Sequence, residues 1–133
     1  MKQVFVDTSA FYALADDKDP AHPRALRFLE SNDLPLLTTN YIFAESLSLL
    51  TKRLGKAAAI RFGAGLKTSE LIRVFCLTPE YEEAAWREFL KYQDKGFDFI
   101  DSTCFVVMQK QGIESAFSFD RHFTQRGFQN LPS

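Results

Sequence analysis

Four carboxylates carry the chemistry this sequence can offer: Asp7, Glu45, Asp101 and Asp120. Each stands in or beside an apolar stretch. Asp7 ends the run Val4-Phe5-Val6, and Glu45 lies among Tyr41, Ile42, Phe43, Leu47 and Leu50. Asp101 opens the segment that continues as Cys104-Phe105-Val106-Val107-Met108, and Asp120 follows Ala116-Phe117-Ser118-Phe119. A carboxylate in apolar surroundings is costly unless something answers its charge. Taken singly, each acid has an ordinary explanation: a helix cap for Asp7, an ion pair for Glu45, a cap for either Asp98 or Asp101. One cap does not readily account for both Asp98 and Asp101, and four such acids point to a shared cation. Hard oxygen donors without His or Cys partners suit Mg²⁺ or Mn²⁺, which would also relieve the repulsion between the acids. A centre of this kind activates water and stabilises charge developing on a phosphodiester.

Other chemistries fit less of the sequence. No Ser-His or Cys-His partnership is visible. Cys76 and Cys104 both read as buried thiols in a reducing compartment, so Cys104 is not expected to be a nucleophile. His22 has no second histidine at metal-ligand spacing and reads as a capping or packing residue. An aspartyl-phosphate enzyme would use Asp7 but leave Glu45 idle.

The elements that must position the acids follow from periodicity. Val4–Val6 is a buried strand feeding a short helix over Ser9–Leu14, with Thr8 or Ser9 as its cap. A second helix runs from the Pro20/Pro23 region to Ser31. Strand Leu36–Thr39 leads through Asn40 into a helix over Tyr41–Leu54, ended by Gly55, and an Ala-rich helix over Lys56–Thr68 follows. Leu71–Phe75 reads as a strand. Thr78-Pro79 then opens a helix with Tyr81, Ala85, Trp86, Phe89 and Leu90 on its inner side, so Trp86 is expected in the core rather than as a base-stacking platform. The helix through Cys104–Met108 is apolar nearly all round and should be central. Ala116–Phe119 and Phe128–Leu131 complete the strands. Strands alternating with helices predict an α/β fold, a parallel sheet covered on both faces with right-handed crossovers.

Bulk properties narrow the class. A chain of 133 residues, 46% hydrophobic with 14 Phe, can bury a core as a single domain over 1–133, and no repeat or linker divides it. The N-terminus lacks the pattern of a signal peptide and no apolar run approaches the ~18 residues needed to span a bilayer, so a cytoplasmic protein is expected. A net charge of −1 argues against a protein that coats nucleic acid through its overall field. It does not argue against a nuclease whose metal offsets its acids.

The motifs Val6-Asp7-Thr8-Ser9-Ala10, Glu45 in its helix, Phe99-Ile100-Asp101 and Phe119-Asp120-Arg121-His122-Phe123 occur in this order across essentially the whole chain. In this the sequence resembles the PIN-domain nucleases, and more closely the VapC-type toxins of toxin–antitoxin pairs. The resemblance implies a three-layer α/β/α sandwich with a central, mainly parallel sheet. It also implies Mg²⁺- or Mn²⁺-dependent endoribonuclease activity on an RNA substrate, homodimerisation and a cognate antitoxin. Asp7, Glu45 and Asp101 match the three central acids, Asp120 a more variable fourth, and Thr8 or Ser9 a supporting hydroxyl. Asp98 departs from the pattern, as a water-mediated ligand or as an exposed cap. Arg121 and His122 are candidates for the RNA backbone. The alternative is a catalytically silent PIN-like module that binds RNA or a partner.

Overall fold

Among the described residues, five short strands form one sheet in the order β3-β2-β1-β4-β5. The computed structural model describes residues 2–133. The strands are β1 (Val4–Val6), β2 (Leu36–Thr39), β3 (Ile72–Phe75), β4 (Ser115–Phe117) and β5 (Gln129–Leu131). All four pairings are parallel, with Phe5 opposite Leu37 on one side and Ala116 on the other. β1 and β2 are buried along their whole length, as expected of central strands in a sheet covered on both faces.

Among the described residues, seven helices supply the covers: α1 (Thr8–Ala15), α2 (His22–Ser31), α3 (Asn40–Leu54), α4 (Lys56–Thr68), α5 (Pro79–Lys91), α6 (Phe99–Lys110) and α7 (His122–Arg126). The chain steps from β1 to β2 to β3 in one direction, then crosses back to β4 and β5. Right-handed crossovers therefore put α1 to α4 on one face and α5 to α7 on the other. The packing agrees: α1 contacts α2 and α3, and α3 contacts α4, while α6 contacts both α5 and α7. The result is the three-layer α/β/α architecture, with an entirely parallel sheet among the described residues.

Core and boundaries follow local chemistry. Phe5, Phe105, Phe117 and Phe123 are among the largest fully buried side chains, and α6 is buried without interruption from Ser102 to Met108. Thr39, rather than Asn40, caps α3 by accepting from Ile42 N, and Gly55 ends that helix at φ 98°. Pro23 sits in the first turn of α2, while Pro20 remains in the preceding turn. The five-residue α7 is too short to leave a periodic trace, which is why sequence patterning passes over it.

Two expectations are corrected. Trp86 and Leu90 are 47% and 45% exposed, so they are not on the inner side of α5. The face that packs inward instead includes Ala85 and Glu88, the latter buried because Arg126 Nε and Nη2 reach its oxygens at 2.6 and 3.2 Å. Apolar periodicity cannot anticipate a helix face turned inward around an ion pair. Cys76 is exposed, because it follows the edge strand β3, whereas Cys104 is buried as expected. His22 behaves as a packing residue, its Nδ1 2.8 Å from the Ala13 carbonyl oxygen. Among the described residues no helix is long and apolar enough to cross a membrane.

Removing Glu88 would strand a largely buried guanidinium. Glu88→Ala should lower unfolding free energy by about 3 kcal/mol, and Trp86→Ala by no more than about 1 kcal/mol. Urea denaturation followed by circular dichroism checks both; a larger loss for Trp86→Ala would return that residue to the core.

Candidate active site

In an open parallel sheet, the place where strand order reverses leaves a crevice at the carboxyl ends of the strands. Here that place lies between β1 and β4, and Asp7 and Asp120 follow those two strands. The crevice is a cleft of about 450 Å³ whose lining includes Asp7, Glu45, Asp98, Asp101 and Asp120, with Thr8, Ser9 and His122. All the acids singled out in the sequence thus face one space.

Asp7 is the N-cap of α1 and also lines this cleft. Its Oδ2 accepts from Ser9 Oγ at 2.8 Å and Ser118 Oγ at 2.9 Å, with Ser9 N a longer donor at 3.4 Å. Ser9 Oγ in turn accepts from Phe119 N, and Ser118 Oγ from Asp120 N. The hydroxyls therefore tie the end of β1 to the loop after β4, while Oδ1 takes no part in these bonds. Burial pushes the Asp7 carboxyl above its ordinary value; the hydroxyls oppose the shift and the charge of Asp120 adds to it.

Glu45 is half-buried on α3 and accepts from Thr8 Oγ1, so Thr8 supports the second acid as Ser9 supports the first. Burial raises the Glu45 carboxyl as well, with Asp7, Asp98 and Asp120 adding repulsion against the Thr8 hydrogen bond.

At the start of α6, Asp98 Oδ1 accepts from Asp101 N at 2.8 Å and Asp101 Oδ2 accepts from Asp98 N at 3.1 Å. This reciprocal capping box corrects the expectation that one cap could not explain both acids. Asp98 is exposed and takes the cap role. Asp101 is pushed up to about 6 by burial first and the charge of Asp98 next. It completes the capping box and faces the cleft at once.

Sequence reasoning gave His122 no place among the acids and missed Ser118 altogether. His122 Nδ1 lies 2.9 Å from Asp101 Oδ2 and 3.4 Å from Asp120 Oδ1. It is nevertheless a buried nitrogen without an aligned hydrogen bond among the described residues. Asp101, Asp120 and His122 offer donor atoms within 4.8 Å of one another. Carboxyls raised by burial and then by one another's charge, an uncommitted Asp7 oxygen and an orphaned imidazole nitrogen are what a divalent cation would satisfy, so the residues present fit one. Arg121 is exposed and does not line the cleft. Signals for the missed pair existed: Ser118 and His122 flank Asp120 at two-residue spacing, Ser118 directly after a buried strand. Their meaning depended on what stood opposite.

The sequence model of the PIN domain matches residues 4–129. The 23S rRNA-specific endonuclease VapC20 of Mycobacterium tuberculosis is 36% identical over 125 residues, covering 94% of this chain and 95% of that protein. Ribonuclease VapC26 of the same organism is 28% identical over 122 residues, 91% of this chain and 90% of its own. The crystal structure of VapC20, described as a sarcin-ricin loop cleaving toxin, superposes with a TM-score of 0.89 at 35% identity over 94% of this chain and 95% of that one. A toxin–antitoxin complex from Klebsiella pneumoniae shares the fold at a TM-score of 0.63 and 11% identity, over 89% of this chain and 87% of that one.

The raised Asp101 carboxyl fixes a sign. Its folded value of about 6 lies above the ordinary 3.8, so between those values the folded state holds the proton more tightly. The charged acid therefore costs stability as pH rises through this window, and the cost is complete above it. In metal-free buffer Asp101→Asn should melt about 3 °C higher than the unchanged protein at pH 7.5, with the gap closing by pH 4. Differential scanning calorimetry at both pH values decides it; a gap of equal size at pH 4 would mean that charge is not the cause.

Proposed function

Because this chain belongs to the PIN domain family, we propose that it is a divalent-metal-dependent endoribonuclease of the VapC type, acting as one domain over its length. The observation that carries this reading is the convergence of Asp7, Glu45, Asp101 and Asp120 on one cleft at the reversal of strand order. Identity of 36% to VapC20 over 94% of the chain supports ribosomal RNA as the substrate to test first.

Asp7, Glu45, Asp101 and Asp120 would hold Mg²⁺ or Mn²⁺, with Thr8, Ser9 and Ser118 orienting the first two. The bound ion supplies Lewis acidity, lowering the pKa of water and countering negative charge on the phosphodiester. Everything else falls to the chain. Ser9 and Ser118 fix the Asp7 carboxylate through Oδ2, so that its other oxygen is aimed before substrate arrives. Thr8 holds Glu45 from the neighbouring helix. The capping box keeps Asp101 on the first turn of α6, a helix buried from Ser102 to Met108, where the helix dipole partly offsets the cost of its charge. No side chain is required as a nucleophile, and the Cys104 thiol, pushed well above its ordinary value by burial, is unsuited to be one.

The same reading makes the protein the toxin of a pair held silent by an antitoxin, working in the cytoplasm where ribosomal RNA is found. Homodimerisation is part of it.

Purified protein with Mn²⁺ should cleave 23S rRNA at a discrete position, visible by primer extension, and EDTA should stop it. Asp7→Asn and Asp101→Asn should each reduce cleavage at least about a thousandfold, a loss of about 4 kcal/mol of transition-state stabilisation, with far-UV circular dichroism unchanged. Full activity in either variant would overturn the assignment.

A further inference from the structure

A cleft built around acids must still hold a polyanion. Cations held by the acids would answer the scissile phosphate, but neighbouring phosphates along the strand carry charges of their own. Among the described residues, six carboxylates line this cleft when Asp19 is added to those already named, against one Lys or Arg side chain, Arg53.

Arg53 stands in the last turn of α3, the helix that carries Glu45. Glu45, Leu49 and Arg53 recur at four-residue spacing, which places them along one face, and all three line the cleft. Eight residues at helical rise put Arg53 about 12 Å along the axis from Glu45. That separation suits a phosphate beside the scissile one rather than the scissile one itself.

The guanidinium is positioned without being neutralised. Its Cζ lies 5.1 Å from the centroid of the Tyr12 ring, and among the described residues no carboxylate comes within 4.0 Å of it. Tyr12, which also lines the cleft, is itself fixed, its hydroxyl donating to Asp16 Oδ2 at 2.6 Å. Arg126 provides the contrast: it sits among aromatic rings too, but its nitrogens are committed to Glu88 and Gln109. One arginine belongs to the fold, whereas the other is braced on a ring at the rim of the cleft with its charge unanswered.

We propose that Arg53, seated on Tyr12, grips a phosphate flanking the scissile one and sets the register of the RNA in the cleft. This rests on the ribonuclease reading above. The competing role is a surface arginine that complements the carboxyl end of α3, which would leave RNA binding untouched.

The test uses the Asp7→Asn protein, which should hold RNA without cutting it, and a fluorescein-labelled hairpin from 23S rRNA with Mn²⁺. Adding Arg53→Gln should weaken binding about tenfold and reduce the slope of log Kd against log salt by about 0.7, one phosphate contact in a single strand. Arg53→Lys should keep the slope while losing part of the affinity. Arg73→Gln, which removes the same charge from the exposed edge strand β3, should change neither. In the protein with Asp7 intact, Arg53→Gln should raise KM by a similar factor with kcat within about twofold, a split expected when ground-state and transition-state binding are lost equally. A slope for Arg53→Gln equal to that of Arg73→Gln overturns the assignment, as does a fall in kcat at unchanged KM. If the unaltered protein cleaves the hairpin and Arg53→Gln does so equally well, only this inference falls. If the unaltered protein neither binds nor cleaves RNA, the ribonuclease reading falls and takes this one with it.

Discussion

A carboxylate cannot be buried without donors, and Asp7 draws its donors from two strands at once. Ser9 follows β1, Ser118 follows β4, and both hydroxyls meet on Oδ2. These are the two strands between which the order of the sheet reverses, so the bonds that satisfy Asp7 also close the mouth of the crevice into a defined shape. Phe119 N and Asp120 N hang from the same two hydroxyls, and the position of Asp120 depends on them. Loss of either hydroxyl would loosen an acid and a loop together.

Around that knot the fold tolerates charge it would otherwise avoid. Asp7, Glu45 and Asp101 are all pushed upward, and for each the largest cause is removal from water, with the other acids adding to it. Such a site costs stability while its acids are charged, and a cation held there would offset that cost and couple metal binding to stability. The remainder of the structure is arranged to bear this. α6 is buried through seven consecutive residues, and a ring-on-ring cluster of Phe97, Phe105, Phe123 and Phe128 packs against α7, the helix that His122 opens. The ion pair of Glu88 and Arg126 fixes α5 against the end of α7 in the same layer.

Two residues support the fold and line the cleft at once. Asp7 caps α1 and Asp101 completes the capping box of α6 by accepting from Asp98 N, and each also faces the cleft. Setting a structural role against a chemical one is a false choice there: a helix N-terminus stabilises the charged acid that a cation would use. Economy of this kind suits a small domain, in which few residues can be assigned to one task alone.

The alternation of strands and helices, the α/β class and the acids Asp7, Glu45, Asp101 and Asp120 were legible in the sequence. Strand and helix periods are local, and a carboxylate next to an apolar run is conspicuous wherever it falls. Tertiary structure alone decided the rest. Glu88 could turn inward only because Arg126, 38 positions later, was there to meet it, and that pairing left Trp86 and Leu90 in water. Ser118 became a support for Asp7 across 111 positions, and His122 acquired its acidic neighbours when α6 and α7 packed together. The reciprocal cap of Asp98 and Asp101 was local, yet it too rested on backbone geometry that residue types do not reveal. A chain records which groups are apolar and which are charged; which charge answers which is settled when distant segments are brought within hydrogen-bonding distance.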